Sequence, residues 1–240
     1  MWQTATLVAT RDETPEARTL VLDVPDWPGH LGGQHVDVRL TADDGYQATR
    51  SYSLAAPADH DQVEITVQRV PDGEVSTYLT DGLAPGEAVE LRGPAGGWFV
   101  WRPSDRSPVL LVGGGSGIVP LMSMVRARRA VGSGVPFRLV YSMRSPRERY
   151  YAAELDQLAR EVDGPELTCI YTRTAPDDTN RPAARIGAPD LTAPGWSPDR
   201  EPTCFVCGPT GFVEVVAALL VSLGHDPRRI KTERFGPSGR

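Results

Sequence analysis

Five small residues in a row, Gly113, Gly114, Gly115, Ser116 and Gly117, follow the apolar run 109–112. They precede a stretch with apolar positions at Ile118, Leu121, Met122 and Val125. A turn of this kind between a strand and a helix lets backbone N–H groups approach a diphosphate at the positive end of the helix dipole, with Ser116 as a hydroxyl donor. The pattern points to nucleotide binding at the first strand–helix crossover. Tight strand–helix packing is the plainer alternative for the same glycines. The following strand ends in Tyr141-Ser142-Met143-Arg144. At that place an NAD-binding unit carries Asp or Glu for the ribose hydroxyls, and a carboxylate there repels a 2′-phosphate. Ser142 offers a hydrogen bond instead, and Arg144 a bidentate partner for phosphate. The next strand ends in Thr172-Arg173, a second hydroxyl and guanidinium at the same sheet edge. Together these side chains favour NADPH over NADH. Cys204-x-x-Cys207 has the spacing of a redox pair. On a strand, however, residues i and i+3 face opposite ways, so Cys204 is read as core and Cys207 as the end of its strand beside Gly208-Pro209.

Two kinds of element must hold these groups. Up to about residue 102 the apolar residues alternate in short runs bounded by Gly, Pro and Asp: 4–7, 18–23, 35–40, 50–54, 63–69 and 88–92. Runs of this length read as antiparallel strands of a small barrel or sandwich, with a short helix over 76–81. After the polar, proline-flanked stretch 101–108 the pattern changes to strand, helix, strand. Strands are predicted over 109–112, 137–142, 167–171 and 204–207, and helices from 118, over 150–161 and over 211–223. That alternation gives a parallel sheet with helices on its faces. The expected organisation is a β-barrel domain over residues 1–103 and an α/β domain over 107–240, with 177–200 mostly loop.

The 240 residues suffice for two small cores. With 40% hydrophobic and 23% charged residues, wholesale disorder is excluded, and a net charge of −6 gives no general attraction to nucleic acid or an anionic membrane. Three cysteines are too few for a four-thiolate iron–sulfur or zinc site, so no metal is expected. No apolar run reaches spanning length, and the first residues lack the features of a secretory signal; the expectation is a cytoplasmic protein.

Taken with Arg50-Ser51-Tyr52-Ser53, these motifs resemble the ferredoxin–NADP(+) reductase superfamily of flavoproteins. The resemblance covers nearly the whole chain. It is carried in order by residues 50–53, by Gly73-Glu74-Val75-Ser76 after the strand ending Val67-Gln68-Arg69, by 113–117, by Cys207-Gly208-Pro209 and by Glu233-Arg234-Phe235. It implies FAD in the first domain and a nicotinamide nucleotide in the second. By that resemblance Arg50 holds the FAD diphosphate together with Gly73, Val75 and Ser76. Val67 and Gln68 line the cofactor, Tyr52 faces the flavin, and Ser53 lies near the flavin nitrogen that receives hydride. Phe235 is similar to the family's C-terminal aromatic on the other flavin face, while Cys207 and Glu233 resemble the thiol and carboxylate that orient the nicotinamide. Plant ferredoxin reductases end on the stacking tyrosine, whereas here five residues follow Phe235. Nor does the chain carry the cysteine signature of a fused ferredoxin domain.

The implied function is that of a stand-alone reductase. NADPH, or NADH, reduces FAD, which passes electrons to a separate ferredoxin, oxygenase, haem or molybdenum enzyme. The alternatives are a colourless dehydrogenase that uses the second domain alone, and a cofactor-binding redox or sensing subunit active only within a complex.

Overall fold

The computed structural model describes residues 1–177, 179 and 181–236. It divides into two units: Met1–Arg102 with Met122–Ala130, and Pro103–Leu121 with the residues from Val131 on.

In the first unit, β1 (Gln3–Thr14), β2 (Ala17–Asp23), β3 (His35–Thr41), β4 (Gln47–Ser53), β5 (Gln62–Gln68) and β6 (Ala88–Ala95) form one antiparallel sheet in the order β4-β3-β6-β1-β2-β5. A single bridge from Leu54 to Ile65 links the two outer strands, β4 and β5. The alternation in the sequence is the cause. Val36 and Val38 of β3, Leu20 and Leu22 of β2, and Val63, Ile65 and Val67 of β5 turn inward to one buried core with Leu7 and Leu91. A four-residue helix, α1 (Glu74–Thr77), and a π-helical turn at Tyr78–Gly82 add Val75 and Leu79 to that core. The segment Met122–Ala130 belongs to this unit as well: the Ser123 hydroxyl donates to the Ala56 carbonyl at 3.2 Å, and the Arg126 guanidinium to that of Ala55 at 2.7 Å. A Cβ at Gly32 would stand 2.9 Å from the Met124 Cα, so this glycine is what lets the helix approach.

In the second unit, β7 (Val109–Gly114), β8 (Phe137–Met143), β9 (Glu166–Tyr171), β10 (Thr203–Pro209) and β11 (Ile230–Phe235) make a parallel sheet in the order β11-β10-β7-β8-β9. β7 and β8 are buried along their whole length, as parallel strands covered on both faces are, and β8 carries Arg138 and Ser142 among its apolar residues. Among the described residues, four helices belong to this part of the chain: α2 (Ile118–Ala130), whose first turn lies in this unit, α3 (Ala152–Leu158), the short α4 (Ala188–Leu191) and α5 (Thr210–Ser222). Val213, Val216 and Leu220 of α5 pack with Leu110, Val112, Val140 and Val206. Among the described residues no helix is long and apolar enough to cross a membrane.

Several elements differ from the sequence reading, among them the short helix expected over 76–81, which starts at Glu74 and ends at Thr77. β1 runs on to Thr14 because its polar half pairs with β2 through a register shift. β7 continues through Gly113 and Gly114, which leaves only Gly115–Gly117 to turn, as a 3₁₀ segment. α3 begins at Ala152 because Tyr151 takes a left-handed φ of 55°. β11 is a further strand where the sequence suggested none.

Candidate cofactor and coenzyme sites

In the first unit the candidate groups are side chains on an outer strand. β4 pairs with β3 through Val38–Arg50, Val36–Tyr52 and His35–Ser53. Its other edge carries no ladder beyond the bridge at Leu54. Arg50 is exposed, donates to the Thr49 carbonyl at 2.7 Å, and forms no ion pair among the described residues. It is a cation available to an anionic ligand. Tyr52 packs against the core, and burial pushes its phenol up to about 12, so the ring stays neutral at physiological pH. Ser53 is 4% exposed, and its Oγ is buried with no hydrogen-bond partner. Leaving a buried hydroxyl unsatisfied costs on the order of 1–3 kcal/mol. A ligand atom that hydrogen-bonds to it offsets this cost.

The neighbouring turn is built differently from the sequence expectation. The Ser76 Oγ donates to the Gly73 carbonyl and accepts from the Val70 N–H, both at 3.2 Å. This hydroxyl therefore shapes the turn. A Cβ at Gly73 would fall 2.4 Å from Val70 Cγ2 and 2.5 Å from Ser76 Oγ. The side chains of Val67 and Val75 are in the core, which leaves their backbone for any ligand, and Gln68 is exposed.

In the second unit the candidate site is made of backbone. β7 and β10 lie side by side, pairing Gly113 with Cys207, and the turn after β7 packs on the end of β10. A Cβ at Gly117 would sit 2.2 Å from the Cys207 carbonyl oxygen, and one at Gly114 2.8 Å from the Phe212 ring. Gly115 has φ +55° with open space around it, and Gly208 has φ +154°. The glycines thus let the turn pack closely on β10 and on Phe212, and they leave the backbone at Gly115 open at the carboxyl ends of the strands. Such a surface suits a diphosphate.

Cys207 and Glu233 are register partners on β10 and β11, and Pro209 pairs with Phe235. Burial, followed by the Glu233 carboxylate, holds the Cys207 thiol well above its ordinary pKa, so it is neutral and no ready nucleophile. Burial likewise pushes Glu233 up to about 7. A carboxyl in that range switches between hydrogen-bond donor and acceptor around neutral pH. Cys204 lies in the core, where burial raises its thiol to about 12. All three cysteines are free. Among the described residues no cluster of His, Cys, Asp or Glu is placed to hold a metal.

On the other side of β7, at the same end of the sheet, Ser142 of β8 is buried beside Gly114. The backbones of the two arginine segments are tied together, Thr172 N–H to Met143 O at 2.8 Å and Arg173 N–H to Arg144 O at 2.9 Å. Both arginine side chains are exposed. The structure adds a group that the sequence reading missed: a Glu148 carboxylate oxygen lies 4.0 Å from Arg144 Nε. Its i,i+4 spacing from Arg144 was the available signal. The chain after Gly236 lies outside the described residues, and with it the extension past Phe235.

The donors present fit the two nucleotides: an orphaned hydroxyl and an open guanidinium in one unit, an open glycine turn at the strand ends in the other. Comparison with known proteins agrees. Residues 4–100 match an oxidoreductase FAD-binding domain, and residues 111–218 an oxidoreductase NAD-binding domain. The molecule is thus a two-domain flavin and nicotinamide oxidoreductase by fold. The chain belongs to the ferredoxin–NADP(+) reductase superfamily. It is 35% identical over 211 residues to the glycine betaine monooxygenase reductase subunit of Pseudomonas aeruginosa, a match covering 86% of this chain and 56% of that protein. The chain thus spans little more than half of that relative. It is 31% identical to the aromatic O-demethylase reductase subunit of Amycolatopsis, over 98% of this chain and 70% of that one. Among solved structures, the FAD/NAD-binding domain of nitric oxide dioxygenase from Vibrio cholerae superposes with a TM-score of 0.86 at 26% identity, covering 98% of this chain and 99% of that domain.

Proposed function

We propose that this protein takes hydride from a reduced nicotinamide nucleotide, NADPH before NADH, onto FAD and passes the electrons to a separate acceptor protein. Bound FAD supplies the chemistry, accepting two electrons as hydride and releasing them to the acceptor. The chain's own residues bind and orient. Arg50 neutralises the FAD diphosphate, Tyr52 presents a neutral aromatic face, and Ser53 hydrogen-bonds at the flavin edge where hydride arrives. Gly114, Gly115, Ser116 and Gly117 receive the coenzyme diphosphate. Cys207, held neutral, and Glu233 orient the nicotinamide, and Phe235 covers the flavin until the nicotinamide displaces it. Ser142, Arg144, Thr172 and Arg173 take the 2′-phosphate. The buried Ser53 hydroxyl carries the reading, because it is a polar group that the described residues leave without a partner and that a ligand at this strand end would satisfy.

The relatives are reductase subunits of a monooxygenase and an O-demethylase, which supports an oxygenase-type protein as acceptor. A cytoplasmic location goes with the requirement for reduced nicotinamide. The deciding experiment is an anaerobic titration of the FAD-loaded protein with NADPH and then NADH, followed by flavin absorbance. Bleaching at lower NADPH than NADH is expected; flavin that binds and is reduced by neither overturns the reductase reading. In the doubly substituted Arg144→Ala, Arg173→Ala protein the apparent KM for NADPH should rise roughly 10- to 100-fold. That for NADH should change little, and equal effects on both would remove the 2′-phosphate from these arginines.

A further inference from the structure

The preference for NADPH rests on the second strand of the nucleotide unit ending without a carboxylate. In the folded chain a carboxylate is present there. Glu148 closes a 3₁₀ turn, Pro146–Glu148, that leaves the end of β8 and doubles back, bringing its carboxylate oxygen to 4.0 Å from Arg144 Nε. The turn is tied to the sheet. Tyr141, buried on β8, donates its hydroxyl proton to the Glu148 carbonyl and accepts the Tyr150 N–H, each at 3.4 Å. Within the turn, Glu148 N–H donates to the Ser145 carbonyl at 3.1 Å. The backbone that carries the carboxylate therefore has a fixed address beside Arg144, while the side chains of Arg144 and Glu148 remain 60% and 44% exposed, open to a ligand.

We propose that Glu148 is a specificity-determining residue that narrows the preference for NADPH, so that the protein uses NADH as well. The proposal rests on the nucleotide reading of this site. A 2′-phosphate that pairs with Arg144 must approach the Glu148 carboxylate, and the like charges repel. A 2′-hydroxyl brings no charge and has an acceptor in the same carboxylate. Arg144 and Glu148 thus act in opposite directions on one atom of the coenzyme. For charges separated by several ångströms near solvent, and partly screened by salt, the repulsion corresponds to a roughly three- to tenfold weakening of phosphate binding.

The test uses the whole protein and two coenzyme fragments, adenosine 2′,5′-bisphosphate and adenosine 5′-monophosphate. Their dissociation constants are measured by calorimetry, which needs neither flavin reduction nor an acceptor. Glu148→Gln should bind the bisphosphate about three- to tenfold more tightly, and the monophosphate equally or up to about threefold more weakly. The gain should shrink as salt is raised from 20 to about 300 mM, which a merely structural change would not produce. Glu148→Asp keeps the charge and should keep most of the discrimination against phosphate. Unchanged or weaker bisphosphate binding in Glu148→Gln, with both fragments bound by the unaltered protein, overturns the role of Glu148 alone. If the unaltered protein binds neither fragment, the nucleotide reading of this sheet edge falls and the proposal with it.

Discussion

The two units solve the same problem, holding a dinucleotide, with opposite materials. In the first, the candidate groups are side chains on β4, an outer strand whose free edge leaves Arg50 open and whose end leaves the Ser53 hydroxyl buried and unpartnered. In the second, the candidate site is a backbone turn, and what matters is the side chains that are missing at Gly114, Gly115, Gly117 and Gly208. An alternating antiparallel sheet turns every second residue out, so it has chemistry to spare along a strand. A parallel sheet buried on both faces has none except where its strands end. The first site is therefore sensitive to which group a position carries, and the second to whether it carries any.

Adding one methyl group to the second site should have the largest effect. Gly117→Ala places a Cβ within 2.2 Å of the Cys207 carbonyl, a backbone atom that cannot step aside. Loss of several kcal/mol of stability is expected, read as a lowered Tm, together with loss of flavin reduction by NADPH. A tolerated Gly117→Ala would show that this cradle is not a steric device. The matching change in the first unit is Arg50→Ala. It should raise the FAD dissociation constant roughly 10- to 100-fold, by fluorescence titration, through loss of charge-assisted hydrogen bonds. Binding of the coenzyme fragments should be unaffected, and a parallel loss of both would break the separation between the sites.

Glu233 sharpens the contrast through pH. Its folded pKa is raised to about 7 from an ordinary value near 4.5, so between those values the folded state binds the extra proton. Stability should accordingly fall as pH rises through that window, by about 2 kcal/mol, and level off above it. Urea unfolding at pH 5 and pH 8 should show this difference, with Glu233→Gln reducing it. An unchanged difference in that variant would assign the pH dependence elsewhere. The smallest effect is expected at Ser53. Ser53→Ala should leave FAD bound while slowing flavin reduction about tenfold in stopped flow, the size of one hydrogen bond to a reacting group. Release of the flavin would instead make Ser53 a binding residue.

The fold was legible where period and burial agree. The strands of the first unit alternate, and β7, β8, β9 and β10 of the second are short, mostly apolar runs separated by helical segments, so most of both sheets could be read from residue order. β11 was not legible, because Ile230-Lys231-Thr232-Glu233-Arg234-Phe235 lies at the sheet edge, mixes charge with apolar residues and shows neither pattern. The site was legible as residue types and less so as bonds. Arg50, Ser53 and the glycines stand where a ligand could use them. The Ser76 hydroxyl, by contrast, is engaged within its own turn, a fact of local geometry that spacing does not carry. Glu148 lies four residues from Arg144, a spacing visible in the sequence, but its place beside that arginine depends on the turn that the buried Tyr141 of the preceding strand ties down, which spacing does not carry.

The helix that begins at Ile118 also bears on how such a protein could be divided or recombined. Its residues 122–130 belong to the unit that otherwise ends at Arg102, hydrogen-bonding Ala55 and Ala56 and lying against Gly32. A gene cut at the linker would strand that segment on the wrong fragment, leaving one half with uncovered carbonyls and the other with an orphaned half-helix. For this chain the genetic module and the folded module have different edges. An exchange of coenzyme domains between relatives should succeed only when the donor and acceptor helices present the same face over that stretch.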